Sequence, residues 1–273
     1  MANDLEKLKN FLLNCCKDGA ALAFSGGVDS TLLLAVLSMC RREKGFPLLA
    51  VTAESPLQSR REIEDIRACA AFYNVQLELV HCAVLEIPEI KNNSPERCYH
   101  CKRFIFENMI RKAAEYGIGT MIEGTQFDDL KSYRPGMKAL KELGVISPLA
   151  ETGIGKQSIR SLAAELGVRN AFKPSVPCLA TRFEYGSVLE EEKILNTGLG
   201  EEFLRSLLPA EADLRLRVHG DLARIEVAPE NMELISSHRV LIVEKLRELG
   251  FFRITLDLGG FCSGGADLRT ARQ

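Results

Sequence analysis

The sequence is short of three things, and each shortage removes a class of function. It has no excess of charge of one sign: 35 Lys and Arg stand against 37 Asp and Glu. Residues 1–180 carry +2 (23 basic, 21 acidic) and residues 181–273 carry −4 (12 basic, 16 acidic). Wrapping a long nucleic acid usually takes a basic face, so no nucleic-acid partner is expected. It also has no apolar run approaching the ~18 residues of a membrane span, so no membrane role is expected. The opening MANDLEKLKNFLLNCC mixes acids into an amphipathic pattern, unlike an export signal, and the expected compartment is the cytoplasm. Finally, 21 glycines and 10 prolines in 273 residues, with 46% hydrophobic and 26% charged, are far from a collagen-like or disordered composition. At roughly 150 residues per domain, the chain makes one large domain or two modest ones.

Cysteine, by contrast, is plentiful: nine residues, an odd number, with no export pattern, which argues for reduced thiols rather than a disulfide framework. Cys15, Cys16, Cys40 and Cys69 fall in helix-like patterns among Leu, Ala and Phe, and Cys82 follows a strand-like run. There a thiol is expected to act as a small hydrophobe. Cys98, Cys101 and Cys178 sit in polar or proline-flanked segments where packing gives no reason for sulfur. Cys262, in GGFCSGG with no other thiol near it in sequence, is expected to be structural.

Hydrophobic patterning predicts strands at 20–24, 48–53, 75–80 and 119–124, with helices near 3–17, 30–43, 59–73, 101–116 and 155–167. Near-continuous apolar strands separated by helices predict an α/β fold with a parallel sheet covered on both faces, whose ligands gather at the carboxyl ends of the strands. Residues 170–187 form a proline-containing junction. Beyond it the pattern predicts helix at 187–208, a strand pair at 213–219 and 222–228, helix at 230–249 and a strand at 251–258. This divides the chain into residues 1–180 and a smaller α+β domain of residues 181–273.

The strongest local signal is Ser25-Gly26-Gly27-Val28-Asp29-Ser30-Thr31, between the first strand and the next helix. Two glycines remove Cβ atoms that would hold a phosphate away from backbone N–H groups, and the helix N-terminus adds a favourable dipole. Ser25, Ser30 and Thr31 supply hydroxyls, and Asp29 suits a Mg²⁺ ion bridging phosphates. The spacing and lysine of a Walker A loop are missing. Further on, Glu123-Gly124-Thr125-Gln126-Phe127-Asp128-Asp129 follows a strand. Gly124 would allow close approach to a nucleotide, Thr125 and Asp128 offer polar and metal contacts, and Arg134 can neutralise phosphate. For any one of these, a solvated loop is the competing interpretation.

SGGVDST resembles the PP-loop of the ATP pyrophosphatases. That resemblance implies cleavage of ATP between the α and β phosphates, transfer of AMP to a substrate oxygen and release of pyrophosphate. Taken with Cys98-Tyr99-His100-Cys101-Lys102, Lys173-Pro174-Ser175-Val176-Pro177-Cys178-Leu179-Ala180-Thr181-Arg182-Phe183, RLRVHGDLARIEV (215–227) and GFFRITLDLGGFCSGG, the pattern closely resembles the LarE family. The resemblance implies an ATP-dependent sulfurtransferase acting on a small anionic pyridinium mononucleotide. Its carboxylates become thiocarboxylates for the nickel-pincer cofactor of lactate racemase. In one branch of the family a cysteine matching Cys178 gives up its own sulfur. In another, an added CxxC helps hold a [4Fe-4S] cluster through three cysteines, leaving one iron open to sulfide or another sulfur donor. Cys98, Cys101 and Cys178 match that second pattern, and Lys102 is counted with them and Asp29 among the catalytic residues; the competing interpretations of the CxxC pair are a thioredoxin-like redox pair, for which the preceding βαβ context is wrong, and half a zinc site completed by His100 or His81.

In LRLRVHG, Arg215 and Arg217 share one strand face with His219. They either recognise the substrate's phosphate and carboxylates, helped by Arg182 beside Cys178, or form cross-strand pairs with Glu226. A homo-oligomer is expected. Rival functions are a tRNA 2-thiolation enzyme, an ammonia-using ligase of the NAD-synthetase type, for which the three special cysteines are superfluous, and a non-catalytic adenine-nucleotide sensor or metal-storage module.

Overall fold

The computed structural model describes residues 2–131, 135–168, 177–209 and 212–262. The chain forms two compact units, one of residues 1–55, 60–84 and 96–175, the other of residues 56–59, 85–95 and 176–273. The first begins α1 (Ala2–Cys15), β1 (Ala20–Ala23), α2 (Val28–Lys44), β2 (Leu48–Glu54), α3 (Arg60–Phe72) and β3 (Gln76–His81). After α4 (Pro88–Lys91), which belongs to the second unit, it continues through α5 (Arg97–Ala114), β4 (Met121–Ile122), α6 (Pro135–Glu142), α7 (Pro148–Glu151) and α8 (Lys156–Glu165).

The four strands pair in the order β3-β2-β1-β4, all parallel. β1 and β2 are apolar and almost wholly buried, as strands covered on both faces must be. Leu8 and Leu12 of α1, Leu33 and Leu37 of α2, and Ile159 and Leu162 of α8 join Leu22 and Ala50 of the sheet in one core. The strand expected at 119–124 shrinks to Met121–Ile122, bridged in parallel on its other edge to Ile146, whose N–H donates to Met121 O (3.0 Å) and whose carbonyl accepts from Glu123 N–H (3.0 Å). The carboxyl ends of β1 and β4 therefore each open directly into a loop, and these two loops build the first site.

The second unit contains α9 (Glu191–Ser206), β5 (Leu214–His219), β6 (Leu222–Val227), α10 (Met232–Ser237), α11 (Arg239–Glu248) and β7 (Arg253–Leu256). β5 and β6 form an antiparallel hairpin through Gly220, at φ 60°, and β7 adds parallel to β6. The single helix expected over 230–249 is two, broken at His238. Ser237 Oγ donates to Leu234 O (2.8 Å) and His238 Nδ1 lies 2.9 Å from the same carbonyl, so side chains compete for the helix's acceptor. Segments 56–59 and 85–95 belong to this unit through backbone bonds: Leu179 N–H donates to Leu57 O (3.0 Å), Leu189 N–H to Lys91 O (2.7 Å) and Gly186 N–H to Asn93 O (3.0 Å).

Candidate functional site

β1 ends at Ala23, and the chain turns through Phe24–Gly27 into α2. Gly26 has φ 69°, and a Cβ there would lie 2.8 Å from Ile66 Cγ1, so both backbone conformation and packing demand glycine. Gly27 caps α2; its carbonyl accepts from Ser30 Oγ (3.1 Å), Thr31 Oγ1 (2.8 Å) and Thr31 N–H (2.9 Å). Thr31 is fully buried, so its hydroxyl shapes the turn, while Ser25, 3.1 Å from Ser30 Oγ, is exposed. The first-turn amides of Val28, Asp29 and Ser30 lack intrahelical acceptors, and the dipole of a 17-residue helix sits behind them. This is an anion cradle made of backbone.

The loop after β4 presses against it. A Cβ on Gly124 would lie 3.2 Å from Ser30 N and 3.4 Å from Asp29 Cβ, so glycine sets how closely the two loops approach. Glu123, buried, accepts from Thr125 Oγ1 (2.8 Å) and from Ser147 Oγ; the Thr125 hydroxyl is thus spent within the loop. Asp128 holds α8 in place: its Oδ2 accepts from Lys156 N–H (2.9 Å) and its Oδ1 from Lys131 Nζ (2.8 Å). A Cβ on Gly155 would lie 2.5 Å from Asp128 Oδ2. These donors keep the Asp128 carboxyl below the usual range.

Asp29 is pushed the other way, to about 6, first by burial and then by the nearby charge of Asp129, against Lys156 and Arg160, which pull it down. Four residues near this carboxyl were not singled out in the sequence: Glu123, Asp129, Lys156 and Arg160. The first two lay within the EGTQFDD segment, but only the cap on α8 separates Asp128 from Asp129. Lys156 and Arg160 stand one turn apart on α8, exposed and without an ion pair among the described residues; no motif marked them. Arg134 lies outside the described residues.

Cys98 and Cys101 stand one turn apart at the start of α5, Cys98 exposed and Cys101 half-buried. The helix starts earlier than expected, so both thiols lie in its first turns. Buried Arg97 donates through Nη2 to Cys98 Sγ (3.5 Å). The Lys102 stem lies over α6, with Cδ 2.7 Å from where a Cβ on Gly136 would be.

In the second unit, exposed Cys178 precedes a helical turn, Leu179–Arg182. Arg182 is 2% exposed and pairs bidentately with Glu201 (2.7 and 2.9 Å). Its Nη1 donates to Pro177 O (3.1 Å) and Thr181 Oγ1 (2.8 Å), so it clamps the Cys178 turn onto α9. Glu201 also accepts from Leu216 N–H (2.9 Å), which ties in β5. Arg217 donates through Nε to Glu226 (3.1 and 3.2 Å) and through Nη1 to Thr181 O (2.8 Å), while its Nη2 is buried without a hydrogen-bond partner among the described residues. Of the two sequence interpretations of this strand, pairing with Glu226 holds for Arg217. Arg215 stacks on Phe261 (4.7 Å) and donates to Cys262 O (3.2 Å); burial, then Arg217 and Arg182, hold its pKa below the ordinary value. Cys262, expected to be structural, is exposed, and it is its backbone carbonyl that engages Arg215. Arg224 also donates to Glu226 Oε1 (2.9 Å) and pairs with Asp257 (3.3 Å), so four guanidinium groups and three carboxylates leave this cluster one positive charge in excess.

Among the described residues no three His, Cys, Asp or Glu side chains gather closely enough to hold a metal ion, and no helix is long and apolar enough to cross a membrane.

Residues 2–114 match the family of PP-loop domains. A protein of Lactiplantibacillus plantarum named pyridinium-3,5-bisthiocarboxylic acid mononucleotide synthase is 34% identical over 244 residues, 89% of this chain and 87% of that one. An uncharacterized protein of Synechocystis is 37% identical over 97% of both chains, and one of Methanocaldococcus jannaschii is 32% identical over 93% of this chain and 95% of its own. A backbone phosphate cradle without a Walker lysine, matched at this identity over nearly the whole length, places the chain in the LarE family of ATP-dependent, AMP- and pyrophosphate-forming sulfurtransferases.

Proposed function

We propose that the protein adenylates a carboxylate of pyridinium-3,5-biscarboxylic acid mononucleotide and replaces the activated oxygen with sulfur, for a nickel-pincer cofactor. The observation that carries this reading is the buried arginine cluster behind Cys178. It holds one positive charge in excess, Arg217 Nη2 is buried with no hydrogen-bond partner among the described residues, and Arg182 and Arg217 both hold the turn that the exposed Cys178 precedes. A buried cation with an unmet hydrogen bond favours an anionic ligand. Arg215 and Arg217 would meet the substrate's phosphate and carboxylates, and Arg182 would position the Cys178 turn.

In the first unit, the amides of Val28, Asp29 and Ser30 would receive the departing pyrophosphate, with Lys156 and Arg160 neutralising its charge. Mg²⁺ fits here: it takes one or two carboxylates and completes its shell with phosphates and water, and Asp29 with Asp129 would supply them. Held there, the metal would supply charge neutralisation for cleavage of the bond between the α and β phosphates. Adenylation turns a carboxylate oxygen into a leaving group, and the incoming sulfur expels AMP.

For the sulfur we propose a [4Fe-4S] cluster held by Cys98, Cys101 and Cys178. The three thiols fit in chemical kind, being exposed or half-exposed where Cys16, Cys40 and Cys82 are buried. The described residues do not assemble a three-ligand group, and no step above passes through iron. Such a cluster would leave one iron open to bind sulfide. The alternative is sacrifice of the Cys178 sulfur. Mass spectrometry after turnover with ATP, substrate and sulfide separates the two. Multiple turnovers with an unchanged chain mass are expected. Loss of about 34 Da, as H₂S, leaving dehydroalanine at Cys178 would reject the cluster.

A further inference from the structure

Two thiols at the end of α1 take part in no step above. Cys15 and Cys16 are consecutive, and their sulfurs lie 3.5 Å apart, within hydrogen-bonding distance of each other. Cys15 Sγ also donates to Leu12 O at 3.6 Å when protonated. Their surroundings differ: Cys15 is half-buried, whereas Cys16 has no exposed surface and shares the core with Cys40. The contact between the two sulfurs, in which either can donate, pulls the Cys15 thiol below its ordinary value, while the same contact and burial push Cys16 up. Half-buried Cys15 is the sulfur a small solute can reach, and buried Cys16 stands behind it as the second thiol. A core needs neither the adjacency nor this asymmetry.

We propose that Cys15 and Cys16 form a peroxide-sensitive modification site that closes reversibly to a vicinal disulfide. The Cys15 thiolate attacks one oxygen of hydrogen peroxide, breaking the O–O bond and becoming a sulfenic acid; the other oxygen leaves as hydroxide. The Cys16 thiol then attacks the sulfenic sulfur, the S–S bond forms, and the sulfenic oxygen departs as water with the Cys16 proton. Two thiols are oxidised and one peroxide is reduced. Consecutive Cα atoms are about 3.8 Å apart across a trans peptide, short of the roughly 4.4–6.8 Å that a relaxed disulfide spans. The product is strained and so readily reduced by a dithiol, which makes the step reversible. The site also lies where the chain can adjust: α1 ends at Cys15, and the turn that follows reaches Gly19 at φ 120°.

Tryptic mapping of the full chain after treatment with hydrogen peroxide and alkylation of remaining thiols tests this. Peptide 10–17 contains Cys15 and Cys16 and no other cysteine, and 98–102 contains Cys98 and Cys101. The first is expected to lose the mass of two hydrogens, escape alkylation and recover both on treatment with dithiothreitol. In Cys16→Ser, dimedone should label Cys15; in Cys15→Ser, the remaining thiol should stay alkylatable. Peptide 10–17 remaining reduced while other thiols oxidise, or a cross-link from Cys16 to Cys40, overturns the proposal from the wild-type chain alone.

Discussion

Asp29 shows how a single carboxyl couples the site to stability. Its pKa in the folded chain is raised from 3.8 to about 6, so the fold favours its protonated form. That stabilisation is fully present below the unfolded value and is lost as pH rises through about 6. Above that pH the ionised group costs stability unless a cation sits beside it. Asp29→Asn is therefore expected to raise the melting temperature of the ligand-free protein above about pH 6 and to change it little below about pH 4. The same variant should lose ATP consumption with substrate, as measured by pyrophosphate release. A melting temperature lowered at every pH would show that Asp29 supports the fold instead. A second prediction concerns Arg182 and Glu201, both nearly buried. Removing one partner of such a pair leaves a stranded charge, so Glu201→Ala should cost about 3–5 kcal/mol in denaturant unfolding. An effect near that of a surface pair would mean that water reaches the cluster.

At the scale of elements, the site depends on one approach between two loops. Gly124 leaves 3.2 Å between a would-be Cβ and Ser30 N, a spacing that backbone on both sides cannot easily widen. Gly124→Ala should fold, because its backbone needs no left-handed conformation, yet displace the first turn of α2 by a few tenths of an ångström. The expected result is a raised KM for ATP with the substrate's KM nearly unchanged; equal rises in both would point to damage beyond the loop. The sequence made this element legible because SGGVDST and EGTQFDD are contiguous strings at the ends of strands. It could not choose between Asp128 and Asp129, since the difference lies in Lys156, 28 residues away from Asp128, whose amide only the fold brings back. Nor could it pair Arg182 with Glu201, 19 residues apart, and the beginning of α5 at Arg97 was obscured by the polar run before Cys98. The cysteines were better marked. Cys16, Cys40 and Cys82 are buried as their apolar neighbours required, and Cys98 and Cys178 are exposed as their polar neighbours required.

For the whole molecule the decisive quantity is charge. PP-loop chemistry also serves enzymes that thiolate tRNA, and exposed cysteines do not distinguish them. Net charge favours the small substrate: it is −2 over 273 residues, and Arg182 and Arg217 of the second unit are buried and paired with Glu201 and Glu226. Arg182, Arg215 and Arg217 are each under 10% exposed, so they form no continuous basic surface of the kind that tracks a long polyanion. A protein that neutralises many phosphates releases as many counterions, and its affinity falls steeply with salt. Binding of a mononucleotide in a buried cluster engages one or two phosphates and falls only gently. Titration of the mononucleotide across a salt series should therefore give a shallow slope, and a gel shift with total tRNA should show no complex at physiological ionic strength. Tight tRNA binding that weakens by orders of magnitude on adding salt would transfer the adenylation chemistry to a nucleic-acid substrate.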